Sequence, residues 1–454
     1  MSNGTQSNSG TVGAQQAQLS PPPRVLPIVV VPGVMGTRLK DPVSGDLVWN
    51  PMGSPFGNSP GDFAAVTARL ENVGSPLDPA GAVVTQAQFE AETRQRERRG
   101  IATSTNTFAR QLRVDVPHFD DLVPDFYDGL VIALQGGLPR RLRPHGYTPR
   151  VFCCGYDWRL NNQRSGLRLQ TVVNEAVAAS NGEQVILIAH SMGGLVCRYY
   201  LRALGGLRHV RALFLLASPS LGAPESYVIL KKGIASARLR WAATSSLSMS
   251  GSRDFSRKIP SSYQLLPNSI YCTQTNPGFA QFAETNTAYS PTGPLVQGPT
   301  FHDASDPDRF YADICTGLQD IPAHRELCAR NFHTAQVFNT YLAAPGGNAV
   351  WMPPNTYSVY AGNLETVVGV RLFVNGILTS PEGNTVRFTD MEEIKTNAGD
   401  GSVPAVSANP AAGQISPAFH ETERKDGVGH RDFANNSGVQ NYLLRKIESL
   451  VTPP

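Results

Sequence analysis

No stretch of eighteen apolar residues occurs anywhere in the 454-residue chain, so the sequence holds no candidate transmembrane helix. Met1 to Ser20 is rich in Ser, Gly, Gln and Asn and lacks the apolar run of a secretory signal. The expected location is therefore cytoplasmic as synthesised, with any export following a route that needs no signal peptide. Charge is scarce as well: Asp, Glu, Lys and Arg make up 17% of the chain and the net charge is +3. A nucleic-acid partner would call for a concentrated basic stripe, and none is expected. The densest charged stretch, Glu90 to Arg99, mixes both signs and reads as a solvated helix face. No cysteine precedes Cys153. Cys153, Cys154 and Cys197 read as small buried residues, while Cys315 and Cys328, with Cys272 as a third candidate, leave a disulfide open. Asp303, Asp306 and Asp308 lack the glycine and terminal glutamate of a calcium loop. No metal and no cofactor are expected.

What is present begins after Pro21-Pro22-Pro23, where a flexible leader (residues 1–23) ends. Val25 to Val31 is apolar almost throughout and predicts a strand buried on both faces, as in a parallel sheet. It runs into the tight loop Pro32-Gly33-Val34-Met35-Gly36-Thr37. Residues 41–113 lose periodicity and are too long for a plain connector, so they read as a lid-like insertion. Order returns as a helix over Asp125 to Gln135, a strand over Arg150 to Gly155 and an amphipathic helix over Leu167 to Ala179. Then come a strand over Gln184 to Ala189, a helix over Leu195 to Leu204 and a strand over Val210 to Ala217. This alternation implies a parallel, doubly wound α/β sheet. Residues 219–345 are polar and turn-rich and read as a cap-like insertion. Strands over Tyr357 to Ala361 and Val367 to Val374 and a closing helix over Val439 to Leu450 complete one catalytic domain, residues 24–454.

The chemistry centres on Ala189-His190-Ser191-Met192-Gly193-Gly194, set between an apolar strand and a helix. A serine hydroxyl is a weak nucleophile, so it must be presented on a sharp turn. Small residues two before and two after it let strand and helix approach. The alternative reading of Ser191 is a helix cap. In such sites one oxyanion donor is the amide after the nucleophile, here Met192, and the other comes from a loop after an early strand, here Val34 or a neighbour. An acid and then a histidine should follow in chain order. Asp400 in Gly399-Asp400-Gly401-Ser402-Val403-Pro404 is the candidate acid, with Asp390 in reserve. His420 and His430 are the histidines downstream, and His430, just before the closing helix, is preferred. His190 adjoins Ser191, so its side chain should point away from the hydroxyl and serve structure or line the pocket.

Val29 to Leu39 (VVVPGVMGTRL), Tyr156-Asp157-Trp158-Arg159, Ala189 to Val196 (AHSMGGLV) and Asn397 to Pro404 (NAGDGSVP) together resemble the lecithin:cholesterol acyltransferase and lysosomal phospholipase family. The resemblance runs from about residue 25 to 450. It implies an α/β-hydrolase fold with lid and cap insertions, Ser191, Asp400 and His430 as triad, and Val34 and Met192 as oxyanion amides. It also implies a lid near residues 41–113, where Val48-Trp49-Asn50-Pro51 is similar to a family element. Gly33, Asp157, Trp158, His190 and Gly193 would be supporting residues, and Asp157 would shape the site without being the triad acid. The chain departs from the animal enzymes in having no cysteines to hold its lid by a disulfide. The implied activity is hydrolysis or O-acyl transfer of lipid esters, with a lipid or membrane surface as the partner. A carboxylesterase acting on small soluble esters and a lipase-type antibacterial toxin are the alternatives.

Overall fold

The computed structural model describes residues 23–40, 122–233, 256–275, 322–379, 385–416 and 421–452, with short pieces at 47–49, 102–103, 253, 280–283, 295–297 and 314. Its centre is a six-stranded sheet in which every neighbouring pair is parallel. In chain order the elements are β1 (Arg24–Val31), α1 (Pro124–Gly136), β2 (Tyr147–Cys153), α2 (Asn162–Ala178), β3 (Val185–His190), α3 (Gly193–Ala203), β4 (Val210–Leu216), α4 (Pro224–Lys232), α5 (Pro322–Leu342), β5 (Thr356–Tyr360), β6 (Leu364–Thr379), β7 (Thr385–Gly399), β8 (Glu421–Arg424) and α6 (Ser437–Ser449). The sheet runs β8-β5-β4-β3-β1-β2.

Both faces of the inner strands are covered, which is why β1, β3 and β4 are apolar almost throughout, while the edge strand β8 (Glu-Thr-Glu-Arg) is polar. Successive side chains of a strand alternate between faces. Val29 and Val31 of β1 join Leu187 of β3 and Leu213 of β4 in one core layer, under α2, α3, α4 and α5. Ile28 and Val30 join Ile186 and Phe214 in the other, under α1 and α6. Burying one such side chain stabilises the fold by roughly 1.5–3 kcal/mol, so the two layers bind the helices to the sheet.

Three elements differ from expectation. Helix α2 starts at Asn162, five residues before Leu167, because the Asn161 side chain accepts from the Arg164 amide and caps a first turn that is polar yet buried. Within residues 219–345 lies the 21-residue helix α5. Its buried Cys328, Phe332, Ala335, Phe338 and Leu342 recur at helical spacing among polar neighbours, which masked it as a turn-rich region. The predicted strand Val367 to Val374 is the middle of β6, which pairs antiparallel with β7 in a separate four-stranded sheet.

Only short pieces of the lid-like stretch are described: residues 47–49 and 102–103 pair with Leu39–Lys40. Residues 1–22 of the leader, the Glu90 to Arg99 stretch, Asn50, Pro51, Asp303, Asp306, Asp308, Cys315 and His420 lie outside the described residues. Cys153, Cys154, Cys197, Cys272 and Cys328 are buried, and Cys328 accepts the Tyr263 hydroxyl at 3.1 Å. Asp390 lies in β7, opposite Phe373 of β6. Among the described residues, no helix is long and apolar enough to cross a membrane, and no group of three His, Cys, Asp or Glu could hold a metal ion.

Candidate active site

Ser191 stands in the turn between β3 and α3 with φ of +53°, a left-handed conformation that costs a non-glycine residue about 1–2 kcal/mol. The strain is held by close packing. The Ser191 amide donates to the Leu216 carbonyl at 2.9 Å, tying the turn to the end of β4. A β-carbon at Gly193 would stand 2.5 Å from the Pro32 carbonyl oxygen, and one at Gly194 would stand 2.1 Å from Ser218 Oγ. Only glycine fits at either position. The small residues of the motif thus let α3 press against β1 and β4.

The candidate acid is delivered by the β6–β7 hairpin, whose second strand ends at Gly399. Asp400 follows in a turn closed by its own amide on the Val403 carbonyl, with Gly401 at φ of +99°. Its Oδ1 accepts from the Ser402 and Val403 amides at 3.0 and 2.7 Å. Its Oδ2 is left for the imidazole of His430, whose Nδ1–H donates to it at 2.7 Å. The His430 amide also donates to the Asp400 carbonyl at 2.9 Å, so main chain and side chain fix the same pairing. The Ser191 hydroxyl then donates to His430 Nε2 at 2.8 Å. Asp400 is almost wholly buried, and the His430 side chain keeps 19% exposure. Burial works against a charged imidazole, but the Asp400 carboxylate and its hydrogen bond outweigh it and raise the His430 pKa above the ordinary value.

The Pro32 to Thr37 loop packs directly on the serine: a β-carbon at Gly33 would lie 2.8 Å from Ser191 Cβ. Among the described residues, the amides of Val34 and Met192 donate to no protein acceptor, whereas the Gly33 amide is taken by the Tyr127 hydroxyl at 2.8 Å. Tyr156 and Trp158 hold the loop from behind. The Tyr156 hydroxyl donates to the Pro32 carbonyl at 2.7 Å and the Trp158 indole to the Thr37 carbonyl at 3.1 Å. Asp157 forms a two-point ion pair with Arg159 at 2.6 and 2.7 Å. Neither Asp157 nor Trp158 lines the cavity at Ser191.

His190 points away from the Ser191 hydroxyl into a relay whose donors and acceptors have one consistent direction. Gly33 N–H donates to Tyr127 Oη, the Tyr127 hydroxyl donates to His190 Nδ1 at 2.9 Å, and His190 Nε2–H donates to the His430 carbonyl at 2.9 Å. This requires a neutral His190. Burial and the neighbouring His430 push its pKa down to about 3. The relay couples the loop carrying Val34 to the segment carrying His430. Tyr127 escaped sequence reading because it lies 94 residues from Gly33 on an ordinary helical face. Its replacement in Tyr127→Phe leaves two buried polar groups unpaired. Stability should fall by about 1–3 kcal/mol in urea unfolding, and kcat by roughly tenfold, with KM little changed.

A cavity of about 120 Å³ opens beside the serine, lined on its apolar side by Val34, Met35, Phe126, Ile229, Leu265 and Val403. Glu225, in the first turn of α4, brings a buried carboxyl to the same cavity. Pro224-Glu225 reads in sequence as an ordinary helix start, and nothing there marks the carboxyl as buried.

The family model for lecithin:cholesterol acyltransferase matches residues 138–409, which include Ser191 and Asp400 and end before His430. No curated protein matches the chain. Among solved structures, a chain of the Tle4–Tli4 complex is similar with a TM-score of 0.56 at 15% identity, covering 94% of this chain and 98% of that one. The mature form of the Bacillus licheniformis lipase BlEst2 matches with a TM-score of 0.30 at 10% identity, covering 71% of this chain and 87% of that one.

Proposed function

Because the chain belongs to the lecithin:cholesterol acyltransferase family, enzymes that hydrolyse or transfer lipid acyl esters, we propose that it cleaves a glycerophospholipid acyl ester through an acyl-enzyme on Ser191. The observation that carries this reading is the unbroken chain Ser191 Oγ, His430 Nε2, His430 Nδ1, Asp400 Oδ2, with contacts of 2.8 and 2.7 Å. As Ser191 Oγ attacks the ester carbonyl, His430 Nε2 takes the hydroxyl proton and Asp400 stabilises the imidazolium. The amides of Val34 and Met192 donate to the oxyanion, each such donor being worth a factor of about 10² to 10³ in kcat. The tetrahedral intermediate collapses by breaking the bond to the leaving alcohol, which takes the proton from His430. Water or an acceptor alcohol then gives its proton to His430 and attacks the acyl carbonyl, releasing a fatty acid or a new ester and restoring Ser191.

The acceptor decides between hydrolase and transferase, and both share every residue named. Phospholipid vesicles with and without a long-chain alcohol separate them: fatty acid alone identifies hydrolysis, and acyl ester formed with the alcohol identifies transfer. Release of neither from any phospholipid overturns the reading. One observation favours a second reading, a carboxylesterase for short soluble esters. The cavity volume of about 120 Å³ is small beside the roughly 300–1,000 Å³ of ordinary ligand sites. A p-nitrophenyl ester series decides this: kcat/KM rising with chain length supports the lipid substrate, and a maximum at acetate or butyrate supports the small one.

A further inference from the structure

We infer that Glu225 is a second carboxyl of this site, a positioning residue whose ionised form strengthens His430 as a base and thereby shapes the acid limb of the pH profile. This rests on the reading of His430 as the base of Ser191. Glu225 is 7% exposed and lines the same cavity as Ser191 and His430. Ser402 stands between it and the triad: Ser402 lines the same cavity and favours the ionised Glu225 carboxyl, while the Ser402 amide donates to Asp400 Oδ1 at 3.0 Å. The groups facing Glu225 are His430 and Asp400 at the site and Glu393 from β7. Those facing His430 are Asp400, Glu225 and His190, whose ring lies 5.1 Å away, and the fixed positive charge of Arg431 lines the cavity that Glu225 and His430 share. Burial pushes the Glu225 pKa up to about 7, with Ser402 and His430 pulling against it, so its charge changes near neutral pH.

The sign follows from the charges. A negative Glu225 adds to Asp400 in favouring the imidazolium, which raises the proton affinity of His430. The acid form of His430 therefore persists to higher pH, and the imidazolium formed during acylation is more stable. Replacing Glu225 by glutamine keeps the shape and can keep the Ser402 contact while removing the charge.

The test compares kcat/KM against pH for wild type and Glu225→Gln, and follows the His430 ring by NMR in both, assigned by its loss in His430→Asn. The expected result is an acid limb displaced by about half to one pH unit toward lower pH, with an equal downward shift of the His430 pKa and a plateau kcat lowered about three- to tenfold. Ser402→Ala removes a hydroxyl that favours the ionised Glu225. It should move both curves in the same direction by less, and it serves if Glu225→Gln does not fold. Unchanged His430 titration in a folded variant overturns the inference. NMR needs no turnover, so the outcome is separate from the fate of the proposed reaction: an active Ser191→Ala would remove the acyl-enzyme and leave the Glu225–His430 coupling standing or falling on its own titration.

Discussion

Replacing Ser191 by alanine is expected to lower kcat by about ten-thousand- to a million-fold while leaving the fold intact. The size follows from the proposed role: without Oγ there is no acyl-enzyme, and what remains is water attack on an ester held near two amide donors. The losses should not add. Ser191→Ala combined with His430→Ala should be about as slow as either alone, because a base without its nucleophile has no proton to take. Stability carries a separate signature. Alanine tolerates φ of +53° no better than serine, but glycine does, so Ser191→Gly should abolish activity and raise stability by about 1 kcal/mol. Urea unfolding and active-site labelling with a fluorophosphonate check the two halves together. An Ser191→Ala protein that keeps more than about a hundredth of wild-type kcat would refute the assignment.

The sheet could be read from sequence because its strands carry their signal locally. Val25 to Val31, Gln184 to Ala189 and Val210 to Ala217 are apolar on both faces, and the structure places them side by side as β1, β3 and β4. The boundaries moved where capping or packing overrode pattern, as at Asn161. Ser191 was legible for the same local reason, since the strand, small residues and helix of its turn are contiguous. His430 and Asp400 are legible through chain order, glycine chemistry and the family resemblance but not through local pattern, for their pairing depends on where the β6–β7 hairpin ends. Tyr127 and Glu225 were not legible at all. Each sits on a helix with an unremarkable pattern, and each reaches the site through contacts between segments far apart in the chain. The Tyr-Asp-Trp-Arg segment is legible through its resemblance, yet its local part is mechanical: Tyr156 and Trp158 brace the loop that carries Val34, and Asp157 pairs with Arg159. Buried polar connections of this kind leave no periodic trace, because one hydrogen bond needs only one residue in the right place.

Asp400→Asn is expected to reduce kcat by about a thousand- to ten-thousand-fold with little change in KM, although it alters one atom. The geometry explains why so small a change should matter. Oδ1 of Asp400 accepts two main-chain N–H groups, from Ser402 and Val403, so an asparagine must keep its carbonyl oxygen there. Its NH2 group then occupies the place of Oδ2 and faces His430 Nδ1. Two donors cannot share that contact, so His430 gives up its Nδ1 proton and carries it on Nε2. Nε2 is the atom that must accept from Ser191. The base is then blocked by tautomer while the residues stay in place, and the carboxylate that would stabilise the imidazolium is gone. The pH profile distinguishes this from unfolding: the neighbour that raises the His430 pKa is neutral in Asp400→Asn, so its titration should fall toward or below the ordinary histidine value. Activity loss without that fall would mean that Asp400 acts only by holding the turn.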